Sequence, residues 1–545
     1  MKIFNLFLPF FCISMLFADS LYRNDDAHQL AMNKRVPSSH IVVFMPTMPY
    51  LYVSKLINGT LVRSSDNAQG WEYMMATHYK KISPLVYEFH LREGVKFQDN
   101  TPFDADSVVE NFKYMMQTPF NYSDLFGRLK GVKKVSQYVV RFYFNKPYEL
   151  FLFDLTLINL YSHRYLKHFG WGFKNASTAN SMKSPGPYGL GPYILEQGYA
   201  TGRAQTPKIE LIANPNYYEK PQPYIERITI YTELKTQQAL DDILKYEGRL
   251  DISPIPFDKK VETVLSLYAK LMTHPSTHNI SIYFNMLKPN GVLKNKAIRI
   301  ALNEAINQEN LLKFVYKEEG ILAPSAVSPN YKSVKIATQG MQTYHQKADK
   351  KEIKKLLNGL VLRVCTMERF MFLWKGIEYQ LQQYGVTLKY QIITSEKGIY
   401  EQLLTNRQKP KEWDILTWGN DDWSSNNPWT VFFNYRTSDV WSTIDKDDVM
   451  QGYIQKYFEL KYNSPEFIAM VKKIIKRAYD EAYMLFVPSP NIVLAVNKEV
   501  DYTPSSVLMM PLWKAKITPY HWSVRSGHYP DYRKISVIPR DDTKQ

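Results

Sequence analysis

The chain of 545 residues contains only two cysteines and only 23 glycines. Cys12 lies in an apolar N-terminal segment, and without that segment Cys365 has no partner for an intramolecular disulfide. The low glycine content excludes a collagen-like or low-complexity chain. After the N-terminal segment, no uncharged apolar stretch reaches the roughly 18 residues that a membrane-spanning helix needs. We therefore expect the chain to depend on an apolar core for its stability.

The common catalytic motifs are also missing. The sequence contains no GxSxG, HExxH or CxxC string and no glycine-rich Gly-Lys-Ser/Thr loop. Pro275 between His274 and His278 disfavours a helical metal pair, and His163 and His168 would lie on different faces of a helix. We predict no metal, no cofactor and no enzyme activity. The competing interpretation, a secreted hydrolase, would require a nucleophile–base pair or a metal site that these residues do not supply.

Basic and aromatic residues are abundant. Lys and Arg number 68 against 52 Asp and Glu, which gives a net charge of +16, and 28 Phe, 40 Tyr and 10 Trp make 78 aromatic residues. The basic residues are spread along the chain, which indicates a general attraction to anionic surfaces. No nucleic-acid-binding motif accompanies them, so nucleic acid is not an expected partner.

The first residues predict export. A positively charged start at Lys2 is followed by an apolar run that ends at the small residue Ala18. This order is typical of a secretory signal peptide, which we assign to residues 1–18, and we expect a periplasmic location. A lipid anchor is not expected, because Phe11 rather than a small residue precedes Cys12.

The central part of the chain predicts a parallel α/β sheet. Residues 361–364 indicate a strand, 370–384 a helix that stops at Gly385, and 386–390 a second strand. This order predicts a right-handed crossover between two parallel strands. Helix N-caps are predicted at Asp104, Asn307 and Ser464.

The segment from Trp413 reads WDILTWGNDDW and carries the candidate site. Its apolar Ile-Leu pair predicts a buried strand, and ligands of parallel sheets bind beyond the C-terminal strand ends. Two carboxylates between two indoles suit a cation with an apolar body, through ion pairing and cation–π contact. A polar loop with its tryptophans in the core is the competing interpretation. The candidate ligand-binding residues are Trp418, Asn420, Asp421, Asp422 and Trp423.

Five motifs carry a resemblance to a known family. From Tyr87 the chain reads YEFHLREGVKFQDNTPFDADSVVENFKYM, which closely resembles the signature of the family 5 extracellular solute-binding proteins of ABC transporters. Asn100 replaces the usual glycine of that signature, and we expect it to take the same left-handed turn. The other motifs follow in the family's order at Gly189–Tyr193, Asn214–Tyr218, Ile298–Asn307 and Trp413–Trp418.

The resemblance implies an α/β, two-lobe periplasmic binding protein fold of the large class II type, with an extra domain inserted in the first lobe. The implied ranges are 19–60 and 184–274 for lobe 1, 61–183 for the inserted domain, 275–490 for lobe 2, and 491–545 for the return to lobe 1 and the C-terminal tail.

The resemblance also implies a function. In peptide-binding members an aspartate three residues after the strand's Trp holds the α-ammonium of the peptide, and Asp421 takes this place after Trp418. A monomer would then bind a short peptide between its lobes and deliver it to ABC permease subunits in the inner membrane. Other members bind a nickel chelate, haem or another non-peptide ligand, so this alternative stays open.

Overall fold

The computed structural model describes residues 36–47, 49–117, 125–171, 185–201, 204–420, 428, 432–437, 440–507 and 509–525. The strands are β1 (Val36–Phe44), β2 (Val62–Ser64), β3 (Trp71–Tyr73), β4 (Ala76–Ser83), β5 (Val86–Leu91), β6 (Leu129–Ser136), β7 (Val139–Phe144), β8 (Tyr193–Gln197), β9 (Lys208–Ala213), β10 (Ile225–Tyr231), β11 (Ile252–Pro254), β12 (Ala269–His274), β13 (Asn279–Phe284), β14 (Gly320–Ile321), β15 (Val361–Thr366), β16 (Thr387–Ile392), β17 (Ile415–Asn420), β18 (Met484–Leu485), β19 (Ser489–Pro490), β20 (Ile492–Asn497), β21 (Val500–Asp501) and β22 (Lys516–Ile517).

The α-helices are α1 (Pro49–Ile57), α2 (Ala105–Met116), α3 (Leu125–Arg128), α4 (Phe151–Leu155), α5 (His163–Phe169), α6 (Thr236–Leu244), α7 (Lys260–Val264), α8 (Lys296–Glu304), α9 (Gln308–Asn310), α10 (Lys332–Ala337), α11 (Lys350–Leu357), α12 (Met371–Gln382), α13 (Glu396–Leu404), α14 (Asp448–Tyr457) and α15 (Pro465–Asp480). A π-helical turn, Leu311–Val315, follows α9.

A seven-stranded sheet forms the core of the first lobe, lobe 1. Its order is β12-β20-β11-β1-β10-β9-β8, with β1 parallel to β10 and β11 and the other neighbours antiparallel. Successive residues of a strand point to opposite faces. Ile41 and Val43 therefore enter one apolar core, and Val42 and Phe44 enter a second core on the other face.

A five-stranded sheet, in the order β16-β15-β17-β13-β18, forms the core of lobe 2. β15 pairs in parallel with β16 and β17, which confirms the parallel strand–helix–strand unit expected around α12. Gly385 has a φ of 81°, as a glycine stop beyond a helix requires. Cys365 is buried in β15, as expected of a lone structural cysteine.

A four-stranded antiparallel sheet, β4-β5-β7-β6, packs beside lobe 1. Along β5, Tyr87, Phe89 and Leu91 are buried and alternate with more exposed residues, as the period-two pattern predicts. The turn that follows contains Asn100 with a φ of 68°, which confirms the expected left-handed conformation. Asp104 then caps α2 by accepting a hydrogen bond from the backbone N–H of Ser107.

The other predicted caps are also present. Asn307 caps α9, and Ser464 caps α15, whose first residue is Pro465. No helix in the described part of the chain is long and apolar enough to cross a bilayer. The predicted signal peptide, 1–18, lies outside the described residues, and the domain boundaries given above stay predictions.

Candidate functional site

A cavity of about 390 Å³, which we call the inner cavity, lies between the two large sheets. Lobe 1 contributes the end of β1 with the loop after it, together with β11 and β20. Lobe 2 contributes β13, the end of β17 and the turn that opens α12. Its lining includes Phe44, Pro254, Ile280, Arg369 and Gly419. Tyr502, Pro504, Val507 and Met510 also line it.

The strand ends explain why the cavity forms here. β15 and β17 run in parallel, so their C-terminal ends meet at one edge of the lobe 2 sheet. Gly419 stands at the end of β17, and Arg369 follows β15 by three residues, counted from Thr366. The cavity therefore occupies the position where α/β sheets bind ligands.

Among the described residues that line the inner cavity, Arg369 is the only Arg, Lys, Asp or Glu. Its guanidinium carbon lies 4.9 Å from the centre of the Phe370 ring, a cation–π distance. Most other lining side chains are apolar or aromatic. The cavity thus offers apolar area with one cationic group, which suits a ligand that carries an anionic end.

Trp418 lies within the sheet rather than beyond it, because β17 continues to Asn420. Its side chain is 3% exposed and stacks on Trp441, with ring centroids 5.5 Å apart and an interplanar angle of 13°. Tyr400 packs edge-on against Trp418 at 5.0 Å. Among the described residues Trp418 is a core side chain beneath the strand end, and it does not line the inner cavity.

The other predicted site residues reach the edge of the described chain. Asn420 is the last residue of β17, where its backbone is opposite Asn279 of β13. Asp421, Asp422 and Trp423 lie outside the described residues. Their roles in ligand binding stay predictions, although Gly419 at the cavity wall precedes Asp421 by only two residues.

Sequence reasoning missed Arg369, Phe257 and Phe372 as lining residues of the site. One signal was available for Arg369, because it follows a predicted parallel strand and precedes a predicted helix. No signal was available for Phe257, because it lies in the other lobe and more than 100 residues before Arg369 in the chain.

The described residues contain no cluster of three or more His, Cys, Asp or Glu side chains that could hold a metal ion. Burial raises the pKa of the Cys365 thiol to about 12, so this cysteine stays protonated at neutral pH.

The comparison with known families identifies the chain. Residues 71–443 match the model of the bacterial extracellular solute-binding proteins, family 5 Middle. The chain belongs to this family. The family 5 proteins are binding proteins of ABC transporters and not enzymes, which agrees with the resemblance and with the predicted class of protein.

Relatives within family 5 differ in the ligands that their names state. The chain is 27% identical over 273 residues to heme-binding protein A of Haemophilus influenzae, an alignment that covers 45% of this chain and 46% of that one. It is 25% identical over 272 residues to the dipeptide-binding protein of Escherichia coli K12, with 45% and 47% covered. The chain spans about half the length of these curated relatives.

The fold also agrees with family 5. The structure of NikA from Brucella suis in complex with Fe(III)-EDTA superposes with a TM-score of 0.73 at 19% identity, over 88% of this chain and 100% of that one. The two-lobe α/β fold expected from the sequence is thereby confirmed. At this level of identity the similarity shows the fold alone.

Proposed function

We propose that this family 5 protein is the periplasmic receptor of a peptide importer, which binds short peptides in the inner cavity and delivers them to an ABC permease. The observation that carries the proposal is a cavity of about 390 Å³ between the two lobes, with mainly apolar walls and Arg369 at its lining. Its volume falls in the range of roughly 300–1,000 Å³ that is typical of small-molecule sites.

Two opposite charges would hold the two ends of a peptide. Arg369 can pair with the terminal carboxylate, because a guanidinium donates two parallel hydrogen bonds to a carboxylate. Asp421 is predicted to pair with the α-ammonium, and it follows the cavity-lining Gly419 closely in the chain. Apolar walls between the charges accept varied side chains, which supports broad rather than narrow peptide selectivity.

Ligand transfer would depend on closure of the lobes. The inner cavity is lined from both sheets, so a ligand in it contacts both lobes at once. A ligand that makes more contacts in the closed form shifts the population towards that form. The closed form would then be recognised by the permease.

The proposal is tested by calorimetry with short peptides on the full chain and on Arg369→Gln and Asp421→Ala. Each substitution removes the charged partner of one end of the peptide, so each should weaken binding by about 1.5–3 kcal/mol, the range for hydrogen bonds to charged groups. Arg363→Gln is the matched control, because Arg363 is an exposed arginine on β15 whose partner Glu412 is also exposed. It should bind peptides as tightly as the unchanged protein.

Mass spectrometry of ligand that copurifies with the protein tests the alternative. Recovered peptides would support the proposal. A nickel chelate or haem, together with peptide affinities that neither substitution changes, would overturn it in favour of a non-peptide ligand.

A further inference from the structure

The space between the lobes continues from the inner cavity into a wider one. This second space, which we call the outer chamber, has a volume of about 1,430 Å³. Its lobe 1 wall comes from the segment around β11, and its lobe 2 wall from the π-helical turn Leu311–Val315 and α12. The residues that line both spaces are Phe44, Pro46, Thr47, Pro254, Phe257, Arg369 and Phe372. The two spaces are therefore adjoining parts of one cleft.

Aromatic side chains from both lobes mark the junction. The Phe257 ring of lobe 1 lies 5.2 Å from the Tyr316 ring and 5.9 Å from the Phe372 ring of lobe 2. Phe257 and Phe372 line both spaces. A ligand that extends from one space to the other would pass these two rings and Arg369.

The outer chamber is basic. Its described lining contains four basic residues, Lys317, Lys350, Arg369 and Lys375, and only one acidic residue, Asp258. The three lysines are exposed and form no ion pair with any described residue. Like charges in a concave space with apolar walls add their fields and concentrate anions there.

The lobe 2 wall also exposes large aromatic groups. Phe314 is 61% exposed and Tyr379 is 69% exposed, and both line the outer chamber. Gly376 allows the π-helical turn to pack closely on α12, because a Cβ at this position would lie 2.5 Å from Cγ2 of Val315. A π-helical turn is uncommon and often occurs at functional sites. Apolar area beside the exposed lysines suits a ligand that carries apolar and anionic groups.

We infer that the outer chamber is a second part of the ligand site and takes an acidic segment of a longer peptide. The inference rests on the proposed function and names the substrate class more closely. The N-terminal residues would occupy the inner cavity, and the chain would pass Arg369 and the aromatic junction. Acidic side chains would then lie among Lys317, Lys350 and Lys375.

Three synthetic peptides test the inference on the full chain: Ala-Ala-Ala, Ala-Ala-Ala-Glu-Glu-Glu and Ala-Ala-Ala-Gln-Gln-Gln. We expect calorimetry at low salt to show about tenfold tighter binding of the Glu peptide than of the Gln peptide. This ratio should fall towards one in the double variant Lys350→Gln/Lys375→Gln and at high ionic strength. The affinity for Ala-Ala-Ala should not change in that variant.

The matched control is Lys335→Gln/Lys389→Gln. Both lysines are exposed on lobe 2, and neither belongs to the described lining of the chamber. The control should keep the full preference for the Glu peptide, and an equal loss in both double variants would instead assign the preference to the overall charge. If Ala-Ala-Ala binds but the Glu and Gln hexapeptides bind with equal affinity, or do not bind, this inference alone is overturned. Failure of every peptide to bind would overturn the proposed function as well.

Discussion

Gln98 shows what the family motifs do at the scale of single residues. Its side-chain Nε2 donates hydrogen bonds to the carbonyls of Ile57, at 3.0 Å, and Tyr193, at 2.6 Å, while its Oε1 accepts one from the N–H of Gly189 at 3.1 Å. Asn214 donates to the carbonyl of Gly191 at 2.8 Å in the same place. Three of the motifs therefore meet in one buried structural contact.

Close backbone contact explains the glycines of this cluster. A Cβ on Gly189 would clash with the carbonyl oxygen of Ile57, at a separation that real Cβ atoms do not show. Gly189→Ala should therefore lower the free energy of unfolding by about 1–3 kcal/mol, as overpacking does.

The control for this prediction is Gly131→Ala in β6, where a Cβ would meet no atom within 4 Å. When both variants are unfolded in urea, the effect of Gly131→Ala on the free energy of unfolding should stay within about 0.5 kcal/mol. Equal losses in both variants would show that the contact with Ile57 is not the cause.

At the scale of elements, one buried carboxylate fastens the C-terminal segment to lobe 1. Asp251 Oδ1 accepts hydrogen bonds from Asn497 Nδ2 at 2.7 Å, Trp522 Nε1 at 3.0 Å and His521 Nε2 at 3.2 Å, while Oδ2 accepts from the N–H of Val42 at 2.8 Å. Burial alone would raise the pKa of Asp251, but the charge and hydrogen bond of His521, with the other donors, outweigh it and lower the pKa.

Asp251→Asn should lower the free energy of unfolding at neutral pH by about 1–3 kcal/mol, because an amide has one acceptor oxygen where the buried carboxylate has two and so leaves buried donors without an acceptor. The folded pKa of Asp251 lies below its ordinary value of 3.8. Its contribution is therefore present above pH 3.8 and is lost as the pH falls through the folded pKa. We would measure the free energy of unfolding of the unchanged protein and of Asp251→Asn from neutral pH to about pH 3. The difference between the two should stay constant above pH 3.8 and become smaller below it.

Asp241→Asn provides the comparison, since Asp241 forms an i,i+4 ion pair with Lys245 on the surface of α6. This variant should lose only about 0.3–0.5 kcal/mol. If Asp251→Asn costs no more than Asp241→Asn, the C-terminal segment is not held by this carboxylate.

At the scale of the whole molecule, the lobes are joined by two neighbouring crossings. One runs from β12 to β13 and the other from β18 to β20, and β19, which pairs with β14, lies within the second. Lys260 of α7 in lobe 1 donates a hydrogen bond to Glu319 of lobe 2. Glu319 also accepts one from Asn491 at 3.0 Å. The contact therefore lies beside the second crossing, in which Asn491 stands.

Closure predicts a change in overall size. A saturating short peptide should lower the radius of gyration measured by small-angle X-ray scattering, since the lobes approach each other around the ligand. Arg369→Gln at the same peptide concentration should show a smaller decrease. Peptide binding by calorimetry with no change in the radius of gyration would contradict the closure mechanism.

Local signals predicted the parts of the fold that depend on neighbouring residues. The alternation along β5, the caps at Asp104 and Ser464, and the turn at Asn100 each follow from a few adjacent side chains. The position of β20 between β11 and β12 could not be predicted in this way, because it joins segments more than 200 residues apart.

For the candidate site, the sequence predicted only the strand at whose end the site lies. The apolar residues of β17 predict a strand whose end, at Gly419, lines the inner cavity. The burial of Trp418 depends on Tyr400 and Trp441, which no local pattern connects to it. Arg369 and Phe257 line the same cleft from different lobes, so their shared place depends on tertiary structure.

The position of β20 also affects how the protein can be synthesised. β20 ends at Asn497 but lies between two strands made more than 200 residues earlier. Until the ribosome has added it, β11 and β12 of the nascent chain each have an unpaired edge, and such edges pair with other chains. The lobe 1 sheet can therefore be completed only after Asn497 has been added, and the edge of β11 that β20 will cover stays open to other chains until then.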